Sequence, residues 1–144
     1  FFGQGSHQAT LQASAQQLGI AKHVVFAGFR NDLSELIGCL DVVVHPALME
    51  GLGVSLLQAG AAGVPLIGSD AGGIPEIVRD GLTGLLVAPG DQRGLENAVM
   101  TLVEDESLRE KYGSAARTYV REHFSVDTMI DDNLRLYREL IAQR

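Results

Sequence analysis

The sequence predicts an α/β fold, a parallel sheet with helices on both faces. Three observations carry this. Short β-rich runs alternate with helical patterns along the chain. The strongest run, Asp41–His45, sets three β-branched residues in a row, the mark of a strand buried on both faces. The unusual polar and glycine residues fall just after apolar runs, where an open parallel sheet takes its ligands.

Each element has its own signal. Phe1-Phe2 reads as the end of a strand, followed by the turn Gly3-Gln4-Gly5. Residues 6–18 read as a helix stopped by Gly19. His23–Ala27 is a strand, and Asn31 or Asp32 caps a short helix through Ile37. Pro46 ends the strand Asp41–His45. Leu52–Ala62 is helical and apolar nearly all round, which predicts burial. Pro65–Gly68 is a strand. Ile74–Val78 is a helical turn with Pro75 near its start, and Leu85–Val87 is the last strand. Three helices follow. Their apolar stripes are Leu95, Val99, Leu102 and Val103, then Leu108, Tyr112, Ala115, Ala116 and Tyr119, then Ile130, Leu134, Tyr137 and Ile141. The last stripe is broadened by Met129, Leu136 and Leu140.

Composition narrows the function. The 144 residues, 46% apolar and 20% charged, suit a single globular domain. A net charge of -7 and the absence of Trp argue against a nucleic-acid partner, which calls for a basic face. Cys39 is the only cysteine, so no internal disulfide can form, and a reducing, cytoplasmic compartment is expected. His7, His23, His45 and His123 lack metal-ligand spacing, so no metal is expected. No apolar run reaches membrane-spanning length. The chain opens Phe-Phe-Gly without Met, and is expected to be an amino-terminally truncated segment.

Candidate chemistry concentrates between Glu50 and Gly90. Glu50-Gly51-Leu52-Gly53 precedes a helix. Glycines there admit a ligand to the backbone, and free N–H groups at the helix start can hold a phosphate or a sugar hydroxyl. Glu50 would accept from hydroxyls, or simply complement the helix dipole. Gln58 lies eight residues on, about 80° round a helix and roughly 12 Å along it. It could meet the far end of an elongated ligand, or face water. Ser69–Glu76, with Gly72 and Gly73, could offer an anion nest or serve as a tight connection. His45, at a strand's carboxyl end, could donate to a sugar or phosphate, or to a neighbouring carbonyl. Gly3-Gln4-Gly5 lacks the third glycine of a dinucleotide fingerprint, since position 8 is Gln8, and a plain turn is the better reading.

The run HPALMEGLGVSLLQAGAAGVPLIGSDAGGIPEIVRDGLTGLLVAPGD resembles the carboxyl-terminal domain of the group 1 glycosyltransferases, also called family 4. The resemblance extends from FFGQG to the last helix. It implies one half of a two-domain GT-B enzyme, a Rossmann-like parallel sheet flanked by helices whose first strand would lie upstream of Phe1. In this family that half binds a nucleotide-sugar donor, and the acceptor binds mainly to the amino-terminal half, through which peripheral membrane association is possible. Transfer usually retains anomeric configuration, and neither metal nor cofactor is needed. The first acid of the family's E-x7-E pair matches Glu50, expected at the donor sugar, as the catalytic residue. The second, which holds the ribose, falls on Gln58, a departure that removes a charge. Gly51, Leu52 and Gly53 match the loop beside sugar and diphosphate, and Gly28, Phe29 and Arg30 the segment beside the base. The family's basic pair for the leaving diphosphate precedes Phe1, so this segment alone is expected to be inactive, marginally stable and association-prone. A non-catalytic nucleotide-binding or interaction module on the same fold is the alternative.

Overall fold

A computed structural model describes residues 1–143. They form two compact units, Phe1–Glu35 and a second beginning at Leu36.

In the first unit, helix α1 (Gln8–Gln17) ends where Gly19 takes a left-handed conformation, φ 69°. His7 stands at its N-cap without a side-chain capping bond, so the helix begins two residues later than the pattern from residue 6 suggests. The strand expected at His23–Ala27 is mostly not one. His23 closes a 3-10 turn, Ala21–His23, and its N–H is bonded to the Ile20 carbonyl at 2.8 Å. The stretch beyond pairs in parallel with the start of the chain through a single bridge, Phe2 with Gly28. Ala27 N–H donates to Phe1 O (2.8 Å) and Gly3 N–H to Gly28 O (2.7 Å). The rings of Phe1 and Phe26 stack at 5.3 Å. Asp32 does not cap the next helix, because its carboxylate is occupied by Arg30. That helix, α2 (Leu33–Leu36), is one turn long and passes into a 3-10 turn at Ile37–Cys39.

The second unit holds a three-stranded parallel sheet, β1 (Val43–His45), β2 (Leu66–Ser69) and β3 (Gly84–Val87), in that spatial order. Every residue of β2 is buried, as a central strand covered on both faces requires. On one face Ile67 and Val87 pack with Ala98 and Leu102 of α5 (Gln92–Glu104) and Tyr112 of α6 (Glu106–His123). On the other, Gly68 lies against Ile74 and Val78, at and just after α4 (Ile74–Ile77). Helix α3 (Val54–Ala62) packs along α6, and Gly113 permits the close approach, since a Cβ there would strike the Gly63 carbonyl.

Three details of the sequence pattern are corrected. Helix α3 starts at Val54, not Leu52, because Gly53 at its N-cap is left-handed (φ 74°) and breaks the helical path. It is not buried all round either: Leu56, Ala59 and Gly60 face inward, while Val54 and Gln58 are exposed. In α5 the inward stripe uses Ala98, and Val103 points to solvent. Helix α7 (Val126–Ala142) forms as the periodicity predicts, with the Ser125 hydroxyl accepting from Thr128 N–H at its start. None of its residues is buried. Met129, Ile130, Leu134, Leu136, Tyr137, Leu140 and Ile141 are all exposed.

Several motif residues act in the fold rather than at a site. Thr83, fully buried, donates to Ile77 O and accepts from Arg79 N–H (3.0 and 2.8 Å). Asp80 accepts from Leu86 N–H, and Asp91 caps α5 by accepting from Gly94 N–H, both at 2.9 Å. The DGLTG and PGD segments therefore secure the entry to β3 and the start of α5.

Candidate functional site

The site is built on the carboxyl ends of β1 and β2, which lie side by side with His45 paired in register to Gly68. Pro46 turns the chain out of β1. The loop that follows buries little: Leu48 and Met49 are 74% and 88% exposed. Apolar packing therefore does not hold it, and polar bonds must.

Those bonds converge on Glu50. One carboxylate oxygen, Oε2, lies 2.9 Å from His45 Nε2. The other, Oε1, accepts from Gly51 N–H at 3.0 Å. The Glu50 carbonyl accepts from Gly73 N–H at 3.1 Å. The hydrogen bond from His45 holds the Glu50 carboxyl below its usual pKa range; desolvation is the next influence and opposes it, and the backbone N–H groups of Gly53 and Gly51 add smaller depressions. Glu50 is thus an ionised acceptor at neutral pH. Each of its oxygens keeps a lone pair for a ligand.

Gly72 and Gly73 explain how the second loop comes so close. A Cβ on Gly72 would run into the Glu50 carbonyl, and one on Gly73 into that of Gly51. The two loops lie backbone against backbone. Of the Ser69–Gly73 amides, Asp70 N–H is bonded to Val87 O, Ala71 N–H to Ser69 O and Gly73 N–H to Glu50 O, which leaves Gly72 N–H without an acceptor among the described residues.

Further free donors lie at the start of α3. Leu56 and Leu57 N–H both bond back to Gly53 O, while Val54 and Ser55 N–H have no acceptor among the described residues. Gly51 and Leu52 are exposed beside them, and Glu50 is half-buried. A carboxylate next to two unclaimed amides at a helix start can accept from hydroxyls and donate to an anion. Gln58, exposed one turn further along α3, makes no side-chain hydrogen bond within the described residues. Ser69, read from the sequence as the start of the Ser69–Glu76 turn, is essentially buried and lines a cavity of about 200 Å³ with Pro46, Leu48, Val87, Asp91 and Leu95.

Phe29 and Arg30 belong to the first unit. Phe29 is 67% exposed. Arg30 forks onto Asp32, Nε to Oδ1 at 2.7 Å and Nη2 to Oδ2 at 2.5 Å. This hydrogen-bonded pairing raises the Arg30 pKa and lowers that of Asp32. Among the described residues no three His, Cys, Asp or Glu side chains gather as metal ligands, and no helix is long and apolar enough to cross a membrane.

Comparison with known proteins agrees with this architecture. Residues 1–119 match the family model for glycosyl transferases group 1. The N-acetyl-alpha-D-glucosaminyl L-malate synthase of Bacillus anthracis is 32% identical over 139 residues, 96% of this chain and 36% of that protein. The alpha-maltose-1-phosphate synthase of Mycobacterium tuberculosis is 39% identical over 116 residues, 76% of this chain and 30% of that protein. Among solved structures, HepE from Anabaena in complex with UDP-glucose superimposes with a TM-score of 0.84 at 28% identity, covering 98% of this chain and 40% of that one. The chain thus spans about a third of the length of the curated relatives it matches. It belongs to the group 1 glycosyltransferases, and its fold is that of their GT-B structures.

Proposed function

We propose that this chain is the donor-binding half of a retaining, metal- and cofactor-independent glycosyltransferase. The observation that carries the proposal is the fixed Glu50 carboxylate beside the unclaimed Val54 and Ser55 amides at the start of α3. The carboxylate takes hydroxyls of the donor sugar, and the amides take the diphosphate, whose charge suits a helix amino terminus. Gln58 takes the ribose hydroxyls, to which an amide can both donate and accept. Leu52 and the Gly51 backbone flank the sugar. The complexes of HepE with UDP and with UDP-glucose support a nucleotide-sugar ligand. Acceptor binding, and any contact with a membrane, are assigned to protein outside this chain, as is most of the charge neutralisation that the leaving diphosphate needs. The chain alone is therefore proposed to bind donor without turnover, in the cytoplasm.

Gln58 also favours a second reading. A neutral amide where the family carries an acid fits a non-catalytic nucleotide-binding or interaction module. One set of measurements separates the two. Saturation-transfer NMR with UDP-glucose, GDP-mannose and ADP-glucose should show binding of at least one, with the sugar protons as well as the nucleotide in contact. Binding of none overturns the donor-binding reading and leaves the interaction module. In a full-length enzyme carrying this chain, Glu50→Ala should lower sugar transfer by about a hundredfold or more with the melting temperature unchanged. Wild-type transfer by that variant overturns the role of Glu50, and no transfer by the parent enzyme favours the module.

A further inference from the structure

We infer that His45 is a positioning residue, which aims the Glu50 carboxylate at the donor sugar rather than touching the donor itself. The inference rests on the reading of Glu50 as the sugar contact, and deepens it.

The geometry points this way in three steps. First, the hydrogen-bond partner of His45 Nε2 among the described residues is Glu50 Oε2, at 2.9 Å. Because Glu50 is ionised, its oxygen accepts and Nε2 carries the proton. Second, the two residues bracket the loop Pro46–Met49, whose large side chains Leu48 and Met49 project into solvent. The Glu50 backbone is held by Gly73 N–H, and the bond from His45 then sets where its carboxylate points. His45 itself is held, since it is the last residue of β1 and is paired in register with Gly68 of the buried central strand. Third, the other carboxylate oxygen is pinned by Gly51 N–H at 3.0 Å. A carboxylate fixed at both oxygens cannot rotate about its last torsion, and its two remaining lone pairs point in set directions. A sugar then binds a site already in place, without the cost of ordering a long flexible side chain. The Glu50 pKa agrees, since His45 is the largest cause of its depression.

The test needs a readout that a purely structural histidine would not move. Carbon-13 carboxyl NMR of the chain follows the titration of Glu50, with the signal assigned through Glu50→Gln. In the wild type, Glu50 should titrate below the ordinary carboxylate range. His45→Ala should raise its midpoint. His45→Gln, which can offer an N–H from nearly the same place, should keep most of the depression and also guards against loss of folding in the alanine variant. Calorimetry with the tightest-binding of UDP-glucose, GDP-mannose and ADP-glucose should give an affinity about tenfold weaker for His45→Ala and within about twofold of wild type for His45→Gln. An unchanged Glu50 midpoint in His45→Ala overturns the proposal. So does weakened binding in His45→Gln with the midpoint retained, because that marks His45 as a direct donor contact. Failure of the wild type to bind any of the three donors overturns the donor reading instead, and is told apart because the midpoint still responds to His45.

Discussion

Three carboxylates among the described residues meet a basic partner, and two of them, Asp32 and Glu50, differ in what holds them. Asp32 pairs with Arg30, two residues away, through a two-pronged bond between side chains that are 41% and 43% exposed. Everything that makes this pair lies within three consecutive residues. Glu50 pairs with His45 across a five-residue span, between side chains 31% and 29% exposed, and its backbone is tied to Gly73 from another loop. The first pair is a local ornament of its loop, of the exposed kind that contributes little to stability. The second is assembled by the sheet, which brings two glycine-containing loops together. A short contact alone does not single out a candidate acid, whereas one secured by distant backbone makes Glu50 the better candidate.

The largest effect should come from breaking the backbone contact that only the second pair has. Gly72 is left-handed (φ 55°) and faces the Glu50 carbonyl. Gly72→Ala should cost about 3 kcal/mol or more, from the clash together with the strained conformation, read by urea denaturation. A loss under about 1 kcal/mol would mean that the loops are not locked together.

Acid should reveal the next difference. The folded-state pKa of Glu50 is lowered by His45, so its contribution is fully present above the unfolded-state value and is lost as pH falls through the folded-state value. Donor affinity should therefore be flat around neutrality and fall on acidification into and below the ordinary carboxylate range. Glu50→Gln should flatten that fall when affinity is followed by calorimetry. Asp32→Asn, whose parent carboxylate is shifted in the same direction by Arg30, should leave the donor profile unaltered.

A smaller gain is expected at Gln58. An ionised acceptor bonds hydroxyls more strongly than an amide does. Gln58→Glu should tighten nucleotide affinity, by up to about tenfold, in the same measurement. No change would place Gln58 in water and away from the ribose. Smallest of all, Asp32→Ala should leave the melting temperature of the chain where it is.

Much of the fold was legible because its signals are local. The strand ended by Pro46, the apolar stripes of α6 and α7 and the glycine at the end of α1 act through their immediate neighbours, although β1 is shorter than Asp41–His45 and its Val44 is exposed rather than buried. Failures came where a local signal had a stronger competitor. Asp32 was a sound capping candidate until Arg30 took its carboxylate. Val103 fits the stripe of α5, yet the face that packs is rotated toward Ala98. The site divides in the same way. Glu50, Gly53 and Gln58 were readable from glycine spacing and from a polar residue in an apolar helix, whereas the bond from His45 to Glu50 was not, because the path of the loop between them is set by the sheet.

The sequence by itself determined the parallel α/β class, the order of the helices and strands from β1 onward, and the family, since these depend on periodicity, turn chemistry and motifs carried by contiguous residues. Tertiary structure alone decided which amides remain available to a ligand. The Ser69–Gly73 amides and those at the start of α3 look equally free in the sequence. In the fold Asp70 N–H meets Val87 O of β3, Ala71 N–H meets Ser69 O, and the close approach of two loops, possible because Gly72 and Gly73 have no Cβ, gives Gly73 N–H the Glu50 carbonyl, whereas Val54 and Ser55 N–H stay open. The physical reason is that a backbone donor is satisfied by whatever acceptor the fold brings within 3 Å or so, and that distance is a property of packed chain segments far apart in sequence.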